Sequence, residues 1–141
     1  MDLTPVIARL KAQLAGPKSI GGAADLDAAI DGAIAMPACF VLPLAESGQD
    51  MGMVSNTAQS IRQTFGVVHV LSNRRDATGA AALVDLAGLR TPLRTALVGW
   101  VPDASNGEAV TFTAGRLLRL DGDGRLWWMD EFEVKTFYWS P

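Results

Sequence analysis

Residues 108–139 decide the fold. They run EAVTFTAGRLLRL, then the turn DGDG at 121–124, then RLWWMDEFEVKTFYW. Two apolar runs around a glycine-bearing turn predict a hairpin of two long strands. Three of the chain's four tryptophans lie in the second strand, and apolar residues occupy both of its faces near residues 127–129. A strand with two apolar faces is either central in a sheet or covered by another chain.

Upstream of this hairpin, residue spacing predicts three helices. Thr4 and Pro5 are suited to start the first helix, which carries leucine and isoleucine at helical intervals and ends at residues 16–17. Residues 24–30 predict a short helix with Leu26 and Ile30 on one face. Residues 80–100 carry a leucine stripe from Leu83 to Leu97 that predicts a long helix. Pro92 should kink that helix or split it.

Two more strands are predicted before the long helix. Residues 38–45 predict a buried strand. Because Pro43 lacks a backbone N–H, this strand should either lie at a sheet edge or end near Pro43. Residues 46–55 are polar and glycine-bearing, which predicts a loop, and residues 57–72 predict a long strand. Residues 73–79 predict a turn. The sequence therefore predicts an α+β fold, with a mixed, mostly antiparallel sheet of about four main strands packed against an N-terminal helix and a long central helix.

Length and charge narrow the functional classes. The 141 residues predict one domain spanning 1–141, and the net charge of -3 with a pI near 5.0 disfavours general nucleic-acid binding. The lone cysteine, Cys39, lies in an apolar run and predicts a buried thiol in a reducing compartment. The sequence shows neither a signal peptide nor an apolar run long enough to span a membrane. We expect no cofactor, no metal and no membrane partner.

The sequence contains few groups that predict chemistry. The turn DGDG lacks the later ligands of a calcium loop. His69, the only histidine, is either a hydrogen-bonded structural residue or a catalytic one. Asp130, Glu131 and Glu133 are either an acid–base group or a charged surface that pairs with arginines of the neighbouring strand, Arg116 and Arg119. Arg90 and Arg94 are four residues apart and predict a solvated helix face or a contact with another subunit.

The order and spacing of these segments resemble the tail terminator proteins of long-tailed, non-contractile bacteriophages such as the lambda-like siphophages, and of phage-like particles. The resemblance covers nearly the whole chain. Pro92 departs from the unbroken long helix that the family leads us to expect. The resemblance depends on residues 3–10 (LTPVIARL), 21–26 (GGAADL), 37–46 (PACFVLPLAE), 61–68 (IRQTFGVV), 73–76 (NRRD), 97–100 (LVGW), 115–118 (GRLL) and 126–132 (LWWMDEF).

This resemblance implies a non-enzymatic virion protein that forms a ring, expected to be a hexamer, on the head-proximal end of the tail tube. The ring would stop tube polymerisation and provide the docking surface for the head–tail connector. The expected partners are other copies of the chain, the tail tube protein and the connector; DNA would pass through the ring without specific recognition. Assembly would take place in the cytoplasm of the bacterial host. The expected subunit or tube contacts are Gln49, Asp50, Met51, Met53, Arg62, Arg74, Arg75, Arg90, Arg94, Trp127, Asp130, Glu131 and Glu133.

Two other functions remain open from the sequence. A neck or head-completion protein would join head to tail without setting tube length. A small enzyme or ligand-binding domain would use His69 or the carboxylates at 130–133, and it would require a pocket around His69.

Overall fold

The computed structural model describes residues 1–54, 56–73, 80–122 and 124–140. Within these ranges, three helices and five strands follow one another. Their order and bounds are α1 (Thr4–Gln13), β1 (Ser19–Gly21), α2 (Ala23–Ile30), β2 (Ala38–Asp50), β3 (Thr57–Ser72), α3 (Ala80–Leu97), β4 (Thr111–Leu120) and β5 (Arg125–Ser140).

The five strands form one mixed sheet in the order β1-β2-β3-β5-β4. Only β1 and β2 are parallel, and every other neighbouring pair is antiparallel. The predicted α+β fold with a mostly antiparallel sheet is therefore confirmed. The strand β1 was missed because three residues containing one glycine have no recognisable alternation.

The helices cover both faces of the sheet, but only at one end. One face, which we call the α1/α3 face, packs against α1 and α3 through Val6, Leu10, Phe65, Val67, Leu93, Leu97, Phe132 and Val134. The start of α3 continues this face through Leu71, Leu86, Leu89 and Leu126. The opposite face, the α2 face, packs against α2 through Ala29, Phe40, Val68, Val70, Trp127 and Met129.

The C-terminal hairpin forms as predicted. β4 and β5 pair across a turn that includes Gly124, whose φ of 88° favours glycine. β5 lies between β3 and β4, and its residues Trp127 and Met129 are each 4% exposed. The two apolar faces at 127–129 therefore reflect a strand that is central in the sheet.

The predicted loop at 46–55 is wrong for its first half. β2 continues to Asp50, because Glu46 to Asp50 pair with residues 59–63 of β3 despite their polar and glycine-rich sequence. Pairing with a long neighbouring strand overrides the weak local preference. Pro43 lies at a shift in register between Pro43 and Ala45, in the part of β2 that β1 does not cover, which agrees with an edge position.

The helices differ from the predictions in detail. α1 begins at Thr4 with Leu3 at the N-cap position, so Thr4 is a helical residue and not the cap. The backbone N–H of Thr4 donates a hydrogen bond to Asp2. In α2, Ala29 is buried while Ile30 is 39% exposed. α3 continues through Pro92 without interruption and is followed by Gly99, whose φ is 87°. Leu83 is 60% exposed, so the buried stripe of α3 begins at Ala82 and continues at Leu86.

Some predictions concern residues outside the described ranges. The predicted turn at 73–79 includes residues 74–79, and the expected contacts Arg74 and Arg75 lie among them. Asp123 of the hairpin turn and Ser55 of the predicted loop are also outside. No helix within the described ranges has the length and apolar character needed to cross a membrane.

Candidate assembly surfaces

A buried polar cluster joins α3 to the sheet. We call it the Asp130 cluster: Asp130, His69, Arg90, Trp128 and Cys39. The Asp130 carboxylate accepts hydrogen bonds from Arg90 Nη2 at 2.8 Å and from Trp128 Nε1 at 3.1 Å, and its Oδ2 lies 3.1 Å from His69 Nε2. The Arg90 guanidinium also stacks 4.6 Å above the Trp128 ring. One helix residue is thus bound to two residues of β5, which fixes α3 on the sheet.

These contacts decide the charge state of Asp130. Burial alone raises the pKa of a carboxyl group. Hydrogen bonds from His69, Arg90 and Trp128 outweigh that effect and lower the pKa of Asp130 to about 2. Asp130 is therefore ionised at neutral pH, although its side chain is 0% exposed. Its charge is balanced within the chain by Arg90.

Cys39, His69 and Asp130 have the order of partners found in nucleophilic triads, since Cys39 Sγ lies 3.5 Å from His69 Nδ1. Their environment does not suit that chemistry. All three are at most 1% exposed, so a substrate cannot reach them. Burial and the nearby Asp130 charge raise the pKa of Cys39 to about 12, which keeps the thiol protonated. The geometry accounts for His69 as a hydrogen-bonded structural residue.

The lowered pKa of Asp130 predicts a loss of stability in acid. An unfolded aspartate titrates near 3.9, so the stabilisation is fully present above about pH 4 and is lost as the pH falls through about 2. We expect Asp130 to contribute about 2 kcal/mol of the free energy of unfolding over that interval. Urea unfolding at pH 4 and pH 2 measures the loss, and Asp130→Asn should show a smaller one. Equal losses in the two proteins would contradict the assignment.

The Asp130 cluster also depends on the absence of a side chain at Gly115 of β4. A Cβ there would lie 2.7 Å from Arg90 Nη2 and 2.8 Å from Asp130 Oδ1. The glycine therefore lets the arginine and the carboxylate meet next to the backbone of β4.

We expect Gly115→Ala to lower the free energy of unfolding by about 1–3 kcal/mol, because the methyl group displaces Arg90 from Asp130. Gly88→Ala is the matched control. A Cβ at Gly88, on α3, meets nothing within 4 Å, so the same substitution should stabilise the helix by about 0.5–1 kcal/mol. Urea denaturation of both variants measures the difference, and loss of stability at Gly88 alone would refute the explanation.

The structure corrects several of the expected contacts. Asp130 and Arg90 bind each other within one chain, so their charges are already paired without a second subunit. Arg94 does not face away from the fold: it is half-buried and lies 4.9 Å above the Phe112 ring. Trp127 is buried, and its Nε1 donates to Asp121 at 2.8 Å.

Other expected contacts form an open charged area on the α2 face, beyond the part that α2 covers. Arg62 pairs with Glu133 at 3.1 Å, and Arg116 of β4 pairs with Glu131 at 3.3 Å. The predicted pairing of this acidic patch with Arg116 is confirmed, whereas Arg119 pairs with Asp121. Both arginines of the first two pairs are more than half exposed, so these pairs add little stability and remain accessible.

The remaining expected contacts within the described ranges lie at the end of the sheet that the helices do not cover, which we call the distal tip. Gln49 and Asp50 end β2 there and are exposed. Met51 and Met53 follow them, with exposures of 44% and 50%. The sequence analysis missed Val54, Tyr138 and Trp139, which are at least 54% exposed and lie at the same end of the sheet. The signal for Tyr138 and Trp139 was the run of aromatic residues at 137–139, at the end of the strand.

The edge strand β4 is the second surface that the sequence analysis missed. All ten of its residues are exposed. Four large apolar residues are among them, and their exposures run from 36% to 56%: Phe112, Leu117, Leu118 and Leu120. A long, exposed, apolar edge strand is uncommon in a protein that works alone, because its unpaired backbone groups can pair with another chain.

Exposed apolar side chains at the distal tip and along β4, together with burial of Cys39, His69 and Asp130, are typical of a protein that works by assembly. Among the described residues, no three His, Cys, Asp or Glu side chains are placed to hold a metal ion. A family model described as phage tail terminator protein matches residues 1–138. The chain belongs to the phage tail terminator family.

A solved structure shares this fold. A chain from the virion of a native gene transfer agent particle superimposes with a TM-score of 0.55 and is 14% identical in sequence. The match covers 94% of this chain and 92% of that chain. No curated protein sequence matches the chain significantly.

Proposed function

We propose that the chain, as one domain spanning 1–141, forms a ring on the head-proximal end of a phage tail tube, where it stops tube polymerisation and docks the head–tail connector. The family match over residues 1–138 carries this proposal. The similarity in fold to a chain of a gene transfer agent virion agrees with a place in a virion. We further propose a hexameric ring that is assembled in the host cytoplasm and has no enzymatic activity.

A cap of this kind needs separate surfaces for its neighbours in the ring, for the tube and for the connector. The distal tip and the β4 edge are distinct exposed apolar surfaces, which supports more than one simultaneous contact. Gln49, Asp50, Met51 and Met53 remain our candidates for contact with the tube. The open charged area with Arg62, Glu131 and Glu133 is available to a polar partner. Burial of the Cys39–His69–Asp130 group favours this structural function over an enzymatic one.

Tail length measured by electron microscopy tests the proposal. In the phage or phage-like particle that carries this gene, deletion should give overlong, headless tubes, and the wild-type gene supplied in trans should restore normal tails. Tails of normal length detached from filled heads would instead indicate that the chain joins heads to tails without setting tube length. Infectious particles without the chain would refute a structural function.

A variant pair links this phenotype to the distal tip. Met53→Asp combined with Trp139→Ala changes two exposed apolar residues there and should preserve the melting temperature while tails become overlong. Val84→Asp is the control, because Val84 is 72% exposed on α3, away from the tip. Equal defects in both variants would show that the tip has no special role.

A further inference from the structure

A small polar cavity opens on the α2 face of the sheet, where the open charged area meets the distal tip. Its volume is about 280 Å³. It is formed by three neighbouring strands, β2, β3 and β5, and its lining residues are Ser47, Gly48, Gln49, Ser60, Arg62 and Lys135. None of the six carries a carboxylate, although acidic residues are close by on the same face. The cavity is therefore lined by groups that suit an anion.

The strand register brings the polar side chains of this cavity together. Ser47, Arg62 and Lys135 are direct cross-strand partners, so they form one row across β2, β3 and β5. Gln49 and Ser60 form the next row on the same face. Neighbouring strands lie about 4.8 Å apart, and successive positions on one face of a strand lie about 7 Å apart. Side chains from both rows can therefore contact the same small group.

The five polar side chains can all donate hydrogen bonds, and two of them are cations. Arg62 binds Glu133 through Nε at 3.1 Å, so the two Nη groups of its guanidinium are available to a second acceptor. The salt bridges of this face, Arg62–Glu133 and Arg116–Glu131, do not include Lys135. After Glu133 balances Arg62, one positive charge remains at the cavity.

The donors also define the class of ligand. Two cations repel a metal ion, and a carboxylate offers only two oxygens to five donor side chains. A phosphate group offers more oxygens, which an arginine binds with two parallel hydrogen bonds and a lysine attracts as a point charge. The volume is just below the range of about 300–1,000 Å³ that is usual for whole small molecules. The cavity therefore fits one phosphate group better than a complete nucleotide.

We propose that this cavity, which we call the Lys135 pocket, binds one phosphate group. Lys135 and the Nη groups of Arg62 attract the charge, and the side chains of Ser47, Gln49 and Ser60 donate to the remaining oxygens. The phosphate group has two sources, free phosphate and a nucleic-acid backbone, which present the same oxygens and need no contact with a base. This site goes beyond the proposed function and does not depend on the ring.

Titration of the full chain with sodium phosphate tests the Lys135 pocket. Amide NMR spectra are recorded at pH 7, with the ionic strength held constant by sodium chloride. We expect saturable shifts at residues 47–49, 60–62 and 135. Lys135→Met should weaken phosphate binding by about tenfold, because it removes one charge-assisted hydrogen bond. Lys135→Arg keeps the charge and should recover most of the affinity.

Lys18→Met is the matched control. It removes the same charge at an exposed residue between α1 and β1, outside the cavity, so phosphate affinity should not change. Ser60→Ala is a second variant that removes a donor without changing the charge, and it should weaken binding by about fivefold. Equal weakening by Lys18→Met and Lys135→Met would overturn the inference, because net charge alone would then explain the binding. Acetate that bound as tightly as phosphate would also overturn it.

A short DNA duplex at the same ionic strength separates the two sources of the phosphate group. If the source is a nucleic-acid backbone, the duplex should shift the same amides, and Lys135→Met should weaken its binding by about tenfold as well. If the source is free phosphate, inorganic phosphate should shift these amides and the duplex should leave them unchanged. Either result supports the Lys135 pocket, whereas the absence of saturable shifts with both probes overturns it.

Discussion

Replacing Asp130 by asparagine should lower the free energy of unfolding by about 3 kcal/mol. The change removes the negative charge that holds Arg90 against the sheet, while Arg90 itself remains with a side chain only 20% exposed. Hydrogen bonds from Trp128 and the contact with His69 are weakened at the same time. The expected loss is at the lower end for a broken buried pair, because part of the guanidinium still reaches water.

The matched control for Asp130→Asn is Glu133→Gln. Glu133 is in the same strand and pairs with Arg62, but that pair is exposed and should contribute less than about 1 kcal/mol. Urea denaturation followed by circular dichroism at neutral pH compares the two. Similar losses in both variants would mean that burial of the Asp130 cluster adds nothing, contrary to the explanation given for its pKa.

Phe132→Ala should lower the free energy of unfolding by about 3–5 kcal/mol. The Phe132 ring is 0% exposed and stacks on Phe65 with centroids 5.6 Å apart. Its other side meets the edge of Phe112 at 5.7 Å. Removing the ring leaves a cavity between β3, β4 and β5, which the paired strands cannot close by moving together.

The control for Phe132→Ala is Phe112→Ala, a change of the same size at the end of the same group of rings. Phe112 is 36% exposed, so its loss should cost only about 1–2 kcal/mol. Urea denaturation measures both losses of stability, provided that the free energy of unfolding depends on urea concentration with the same slope in each variant. A larger effect at Phe112 would indicate that the β4 edge, and not the centre of the sheet, dominates the stability of the chain.

Local patterns predicted most of the elements of this fold. The strand at 57–72 was predicted with its observed bounds, and the hairpin turn was marked by its glycines. β2 beyond Ala45 was missed because its residues have weak strand preference and are held by β3. Burial was the least predictable property: the pattern of Leu83 matches that of Leu86, yet only the latter meets the sheet.

The sequence predicted which charged residues make contacts, but not which partners they contact. Sequence showed a carboxylate at 130 and an arginine at 90, but spacing cannot reveal that residues 40 positions apart bind each other within one chain. A charged residue in a β-strand normally indicates a surface, and Asp130 is the exception because it receives three partners. The exposure of β4 could not be predicted from its sequence either, because a leucine-rich strand is normally buried.

The uninterrupted pairing of β3 with β5 has a mechanical consequence. The two strands, 16 residues each, run from the distal tip to the helix-covered end without a shift in register. The pair spans about 50 Å. The register shifts lie in the β2–β3 and β4–β5 pairs, so the β3–β5 pair contains no bulge at which it could bend. We therefore expect a force applied at the distal tip to reach the end where Arg90 anchors α3 with little bending in between.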